Sequence, residues 1–367
     1  MMRPVFIMLI LIVISMVATW MVYFPVLRIA REKNLTDAPS ERKLQKSPVP
    51  LMGGIAVFVG IIIGLCFFKT TIGSVDLFST LGAMMIMLYI GTMDDILDIP
   101  AWLKFTIEIL VSLLVVYGTR SLMCNFQGVL GIERLGIVPA MILSCVAMVG
   151  IVNAINLIDG VDGLASGFCI FANACFGLFF FLHHEYSYAA LAFISLGAMI
   201  PFFIHNLFGK QTKMYLGDGG SLMMGVVFAA MCLRALNGKG FKYEPFDLSG
   251  FSLMAFCLSV LSVPVFDTLR VMTMRMVRGR SPFSADRTHL HHMLMDSGLK
   301  PVGTLLVEIG MEIFVVLLLL SCWNLGFSIS AQLAAVSLLS LVINVGSACF
   351  LSKCRKNNAS DKTDQRL

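Results

Sequence analysis

Charge is the scarcest resource of this chain. Charged side chains make up 13% of its 367 residues, about half the ~25% usual in soluble domains. With 58% hydrophobic residues and a mean hydropathy of +0.87, that scarcity excludes an ordinary soluble domain. Cysteine pairs with ligand spacing are absent too: none of the ten cysteines stands in a CxxC and most lie within apolar runs. Neither a disulfide framework nor a structural zinc site is indicated, and the cysteines read as small hydrophobes. The chain has no internal repeat and no low-complexity run, which excludes a repeat array. Its net charge of +5 comes from short loops rather than a basic patch, so nucleic acid is not an expected partner.

Long apolar runs are what the chain does have. A helix needs about 17–25 apolar residues to cross the ~30 Å hydrocarbon core. Eleven such runs can be read: 4–27, 51–68, 77–93, 101–118, 135–152, 163–182, 187–205, 217–236, 250–272, 302–322 and 328–351. The expected fold class is therefore all-α, a polytopic integral membrane protein of about eleven transmembrane helices. Only Arg3 precedes the first run, whereas Arg28, Arg31 and Lys33 follow it, and the run is too long for the core of a cleaved signal peptide. It reads as an anchor. Short basic loops stay in the cytoplasm. Placing the N-terminus outside puts 20 of the 27 Lys and Arg inside and 7 outside. Residues 1–352 are then expected to form one membrane domain, and 353–367 a short polar cytoplasmic tail. Basic inner loops also suit anionic membrane lipids.

In this orientation every conspicuous polar cluster falls on the cytoplasmic side. GTMDDILD (91–98) ends the third run, and NAINLIDGVDG (153–163) ends the fifth and opens the sixth. YLGDGGS (215–221) opens the eighth, and SPFSADRTHLHHML (281–294) follows the ninth. Each alone has a plain structural reading. Asp94, Asp95 and Asp98 cap a helix end; Asn153 and Asn156 bond between helices; Gly-Asp-Gly is common turn chemistry. Asp267 and Arg270, three apart, read as a local ion pair, and Lys104 and Glu108, four apart, as another. His183 and His184 read as surface residues of the opposite side. Four idle clusters on one face would be a coincidence, so the clusters point to one site built from cytoplasmic loops.

The acids call for a hard cation. Mg²⁺ takes oxygen ligands, usually one or two carboxylates with substrate phosphates and water. Asp94, Asp95, Asp98, Asn156, Asp159, Asp162 and Asp218 supply more oxygens than that. Adjacent Asp94 and Asp95 do not share a helix face, so one can serve a metal while the other acts as a base or orients a nucleophile. Arg278, Arg280, Arg287, His289, His291 and His292 make a donor-rich loop suited to a pyrophosphate. Carboxylates with a metal facing cations is the layout of phosphoryl transfer.

Five stretches in order, PLMGG (50–54), MDDILDI (93–99), NAINLIDGVDGLA (153–165), MYLGDGGSLMMG (214–225) and SPFSADRTHLHHML, resemble the polyprenyl-phosphate N-acetylhexosamine-1-phosphate transferases. These multi-pass enzymes couple a sugar 1-phosphate from a UDP-sugar to a lipid phosphate and release UMP. The resemblance implies a bacterial inner-membrane enzyme using a UDP-N-acetylhexosamine, undecaprenyl phosphate and Mg²⁺, with Mn²⁺ as the alternative ion. It leaves room for a homodimer. It further implies that Asp94 or Asp95 engages the attacking lipid phosphate, that Asp218 and Asn156 hold the metal, and that Asp159 belongs to the reacting centre. Asp162 would read the uracil edge and Tyr215 stack on the base, with Asn206 near the nucleotide and Lys46 beside the glycine pair. Arg287, His289, His291 and His292 would surround the pyrophosphate and sugar.

Leu290 interrupts the run of three histidines found in the peptidoglycan branch of the family, phospho-N-acetylmuramoyl-pentapeptide transferase. The interrupted run is similar to the branch that uses UDP-N-acetylglucosamine to initiate O-antigen, common antigen, teichoic acid or capsule synthesis. Direct attack by the lipid phosphate and a phospho-aspartate route are both compatible with these residues. A transporter would place ionisable groups near the midplane and show repeats. LGDGG also invites comparison with intramembrane aspartyl proteases, but position 215 is Tyr where their motif has Gly.

Overall fold

A chain buried in lipid has no water to serve its backbone, so its spans must close their hydrogen bonds internally. A computed structural model describes residues 2–37, 48–68, 75–237, 249–281 and 287–364, and among these it has thirteen helices and two short ribbons. They fall into two compact units, Met1–Gln127 with Gly131–Ser249, and Gly128–Leu130 with Gly250–Leu367.

The first unit runs α1 (Met2–Glu32), β1 (Thr36–Asp37), β2 (Val49–Pro50), α2 (Gly53–Cys66), α3 (Val75–Leu97), α4 (Ala101–Thr119), β3 (Asn125–Val129), β4 (Ile132–Arg134), α5 (Ile137–Leu157), α6 (Leu164–Leu182), α7 (Tyr186–Phe208) and α8 (Gly217–Asn237). The second holds α9 (Leu253–Val260), α10 (Ser262–Val277), α11 (Leu290–Asp296), α12 (Pro301–Asn324) and α13 (Ile329–Asp364). The last helix continues through the segment read as a tail.

Nine described helices are long and apolar enough to cross a membrane. The bent pair α9 and α10, at 78° to one another, makes a tenth. The remaining run forms α2, apolar but only 14 residues, about 21 Å at 1.5 Å per residue. The eleven runs read from sequence are thus all helical, and the protein is a multi-pass membrane protein.

α8 is the axis of the first unit. It packs against α2, α3, α5 and α6, and 94% of its apolar window is buried. A helix apolar all round belongs inside. Its approach to α2 and α3 is backbone on backbone, as small residues permit in membrane bundles. A Cβ on Gly54 would meet Gly220 Cα, and one on Gly91 would run into the backbone of Asp218 and Gly219. The PLMGG motif then zips onto the chain entering α8: Tyr215 N donates to Pro50 O (2.8 Å), Gly53 N to Tyr215 O (2.9 Å) and Gly54 N to Leu216 O (2.9 Å). The β1–β2 ribbon, pairing Thr36 with Pro50 and Asp37 with Val49, leads into it.

In the second unit Glu312 of α12 supplies what the bend exposes. Its carboxylate accepts from Ser262 Oγ (2.6 Å) and Val263 N (2.8 Å), the first residues of α10. Helix starts leave such amides without intrahelical partners. Leu290 and Leu294 of α11 pack with Val263 beneath Val307 and Met311. His183, read from sequence as a surface residue, is buried against Phe179 with ring centroids 4.7 Å apart, whereas His184 is exposed.

Gly91→Ala should cost about 1–3 kcal/mol through overpacking, whereas Gly82→Ala, with nothing within 4 Å on the same helix, should be neutral. Thermal unfolding in detergent checks this; equal midpoints for the two variants would refute the close contact.

Candidate active site

Within the first unit the predicted acids gather at one end of the bundle. Asp94 and Asp95 occupy the last turn of α3, Asn156 the end of α5, and Asp218 the first turn of α8. Lys104, one turn into α4, joins them. Its Nζ donates to Asp94 Oδ2 (2.9 Å) and to Asp218 Oδ2 (2.6 Å). Sequence spacing pairs Lys104 with Glu108; the structure overturns that. Glu108 is buried and accepts instead from Asn153 Nδ2 at 2.5 Å, so Asn153 ties α5 to α4.

The adjacent aspartates diverge. Asp95 Oδ1 accepts from the backbone N–H of Asp218 (3.1 Å), capping α8 from another helix. Gly217, at φ +75°, turns the chain into that helix beside Asp95 Oδ2. Asp94 accepts from Ile99 N (2.9 Å) and shares Lys104 with Asp218. Asp218 Oδ1 accepts from Asn156 Nδ2 (3.0 Å), which also reaches Ser221 Oγ (2.9 Å).

Two loops complete this end. Asn206 of α7 is a buried strut: its Oδ1 accepts from Gly163 N (2.5 Å) and its Nδ2 donates to Met214 O (3.0 Å). It fixes the turn bearing Asp159 and Asp162 against the loop bearing Lys213 and Tyr215. Lys213 Nζ bonds Asp162 Oδ2 (2.5 Å) and lies 5.3 Å from the Tyr215 ring centre, so Asp162 and Tyr215 share one ammonium. Tyr23 Oη of α1 donates to Thr212 O (2.7 Å) and stacks on His205 at 4.7 Å, pinning the same loop from behind. Burial pushes the Asp159 carboxyl well above the usual carboxylate range, and the nearby charges of Asp218, Asp95 and Asp162 add to it. Lys46 lies outside the described residues, and Asp98 is exposed beyond the cluster.

The histidine segment belongs to the second unit. Asp267 and Arg270 form the expected ion pair (2.6 Å), and Asp267 Oδ2 also receives His289 Nδ1 at 2.8 Å. His291 is buried and lies parallel to His289, with ring centroids 5.7 Å apart. Burial holds His291 well below the usual imidazole range and lowers His292 too, so both are neutral near pH 7. Arg287 pairs with Asp296 at 2.8 Å.

Sequence reasoning passed over Lys104 and Lys213 as site residues, and over the buried Glu308 and Glu312 of α12. For Lys104, Glu308 and Glu312 an ionisable side chain inside an apolar run was the available signal.

The first unit's donor set suits a hard cation. Asp94 and Asp218 already converge on one positive group, and five aspartates (Asp94, Asp95, Asp159, Asp162, Asp218) are answered by two lysines. Among the described residues no three His, Cys, Asp or Glu are grouped to hold a metal by themselves; Mg²⁺ usually takes one or two carboxylates with substrate phosphates and water. Asn156 commits its amide nitrogen to Asp218 and Ser221, leaving its carbonyl oxygen for such an ion.

Fold and site together define a polytopic membrane protein with an acidic centre at one end of a helical bundle. Residues 77–236 match the model of glycosyl transferase family 4, a stretch holding all five aspartates, Lys104 and Asn156. The chain is 28% identical over 279 residues to the undecaprenyl-phosphate alpha-N-acetylglucosaminyl 1-phosphate transferase of Escherichia coli K12, covering 74% of this chain and 72% of that one. The proteins of the same name from Pasteurella multocida (29% over 280 residues, 74% of each chain) and Yersinia pestis (26% over 274 residues, 74% and 72%) are also similar.

Two outcomes follow from these charges. Lys104→Gln removes the ammonium that Asp94 and Asp218 share, so the variant should melt lower in chelator and gain more from added Mg²⁺ than wild type, up to about 2.7 kcal/mol at a hundredfold excess over Kd. Equal gains in a thermal-shift titration would count against a common cation position. Asp159 has a raised value in the folded state, so its contribution to stability is full at low pH and declines as pH climbs through that value. In chelator, Asp159→Asn should therefore gain on wild type as pH rises above the usual carboxylate range; stability that falls in parallel for the two proteins would refute it.

Proposed function

We propose that the protein transfers N-acetylglucosamine 1-phosphate from UDP-N-acetylglucosamine to undecaprenyl phosphate at the cytoplasmic face of a bacterial inner membrane. The lipid-linked product starts a cell-surface polysaccharide. The observation that carries this reading is the Asp94–Lys104–Asp218 centre, where three chain segments bring acid and ammonium together at one bundle end. The names of the relatives and the interrupted histidine run support the lipid acceptor and the sugar.

Asp218 and Asn156 would hold Mg²⁺, which when bound supplies charge neutralisation to the pyrophosphate. Asp95 is tied to the start of α8, which leaves Asp94 to engage the acceptor phosphate, with Lys104 offsetting the charge that phosphate brings. An oxygen of the lipid phosphate bonds to the β-phosphorus, the bond from that phosphorus to the bridging oxygen breaks, and UMP leaves with the electron pair. Asp162 and Tyr215 seat the uracil, for which Asp162 exchanges its bond with Lys213. Asn206 holds their two loops in register rather than touching the nucleotide.

Purified protein given undecaprenyl phosphate, Mg²⁺ and a panel of UDP-sugars should yield lipid diphosphate-linked N-acetylglucosamine and one UMP per product by mass spectrometry. Chelation should stop it, and Asp218→Asn should lower turnover by about 10²-fold or more. Product only from UDP-N-acetylmuramoyl-pentapeptide would move the protein to the peptidoglycan branch; undiminished turnover in chelator would refute the metal.

A further inference from the structure

The segment joining α7 to α8, residues 209–216, forms neither helix nor strand, so its shape is set by what other elements of the first unit do to its polar groups. Its carbonyls are taken from outside. Arg31 Nη2 donates to Gln211 O, Tyr23 Oη to Thr212 O (2.7 Å), Asn206 Nδ2 to Met214 O (3.0 Å) and Gly53 N to Tyr215 O (2.9 Å). Thr212 is held by its side chain as well as its backbone: Oγ1 shares a hydrogen bond of 2.9 Å with Nδ1 of His205, in the last turn of α7. A hydroxyl both donates and accepts, so this bond forms with either neutral tautomer of the imidazole.

His205 is fixed in turn by α1. The rings of Tyr23, Trp20 and Phe24 lie 4.7, 5.0 and 5.3 Å from its own, centroid to centroid. Buried Tyr23 therefore acts on Thr212 twice, directly through its hydroxyl and indirectly through the imidazole on which it stacks. Gly209 lets the chain fold back this closely, because a Cβ there would run into both His205 O and Thr212 Oγ1. The bonds from Arg31, Asn206 and the PLMGG stretch already tie the connection down. The added hold on Thr212 fixes the point from which Lys213 is aimed at Asp162 and, beyond it, Tyr215 is set beside that ammonium.

We propose that Thr212 is a positioning residue for the uridine part of the donor: clamped between Tyr23 and His205, it presets the segment so that Lys213 and Tyr215 stand beside Asp162 before nucleotide arrives. A segment already ordered costs less to order on binding, so the clamp acts on affinity and leaves the transfer step alone. The place of uracil at Asp162 and Tyr215 rests on the proposed function; the clamp does not.

The test uses full-length protein in nanodiscs, with Mg²⁺ present and UMP as the probe. Thr212→Val keeps the shape of the side chain and removes the hydroxyl. Loss of one such hydrogen bond, about 1 kcal/mol, corresponds to roughly a fivefold change. Amide hydrogen exchange over residues 209–216 should speed up by about that factor while α7 and α8 keep theirs. UMP should bind roughly fivefold more weakly by calorimetry, and the KM for UDP-N-acetylglucosamine should rise to match with kcat within about twofold of wild type. Thr212→Ser should restore all three. Tyr23→Phe, which removes the bond to the carbonyl, should give the same changes and is the second measurement if Thr212→Val does not fold. Exchange and UMP affinity both as in wild type overturn the proposal. So does exchange that rises throughout the first unit together with a loss of kcat, which marks a residue needed only for folding. Faster exchange of the segment at unchanged UMP affinity overturns the link to nucleotide. A wild type that binds no UMP refutes the seat assigned to uracil, and the exchange of the variants, which needs no nucleotide, then decides the clamp by itself.

Discussion

A helix that begins inside a protein must find partners for amides that water cannot reach, and the first turn of α8 is such a beginning. Much of the first unit follows from meeting that demand. Asp95 comes from α3 to accept the Asp218 amide. α3 can come that close only because Gly91 lies against the Asp218–Gly219 backbone, and α2 only because Gly54 lies against Gly220. The chain before the turn is held by PLMGG through Tyr215 and Leu216. Asp218 is placed by backbone constraints on either side of it, and a carboxylate set by backbone is set more firmly than one set by rotamer choice.

The second theme is the distribution of charge. Burying carboxylates without counter-charge is costly, yet this unit brings five aspartates to one bundle end. Lys104 lies between two of them and Lys213 beside a third. Lys104 is shared by Asp94 and Asp218, and Lys213 lies between Asp162 and the Tyr215 ring. The protein holds the centre together with its own ammonium groups, so that the carboxylates do not stand unbalanced.

The sequence showed the helices, the membrane class and the cluster of chemistry at helix ends, because composition and run length act residue by residue. Asp94, Asp95, Asn156, Asp159, Asp162 and Asp218 could be picked out and do gather in one unit. What stayed hidden depends on distance along the chain. Lys104 looked like the partner of Glu108 because helical spacing favours neighbours four apart, whereas its real partners lie 10 and 114 residues away. Asn206 and PLMGG act through backbone bonds to remote loops, which no spacing rule predicts. The ribbon β1–β2 is two residues per strand, too short to leave a periodic signal, and the bend between α9 and α10 interrupts an apolar run that hydropathy alone reads as continuous.

That bend carries a consequence for how the protein is made. The amide of Val263 and the hydroxyl of Ser262 find their acceptor in Glu312, 49 and 50 residues later. At a synthesis rate of about 5–20 residues per second, the start of α10 leaves the ribosome several seconds before the group that caps it. During that interval a kinked, uncapped helix stands at the membrane with polar groups that lipid cannot satisfy. The bend is complete only once α12 is made, which gives a carboxylate deep in the apolar run of α12 a place in the order of assembly as well as in the finished fold.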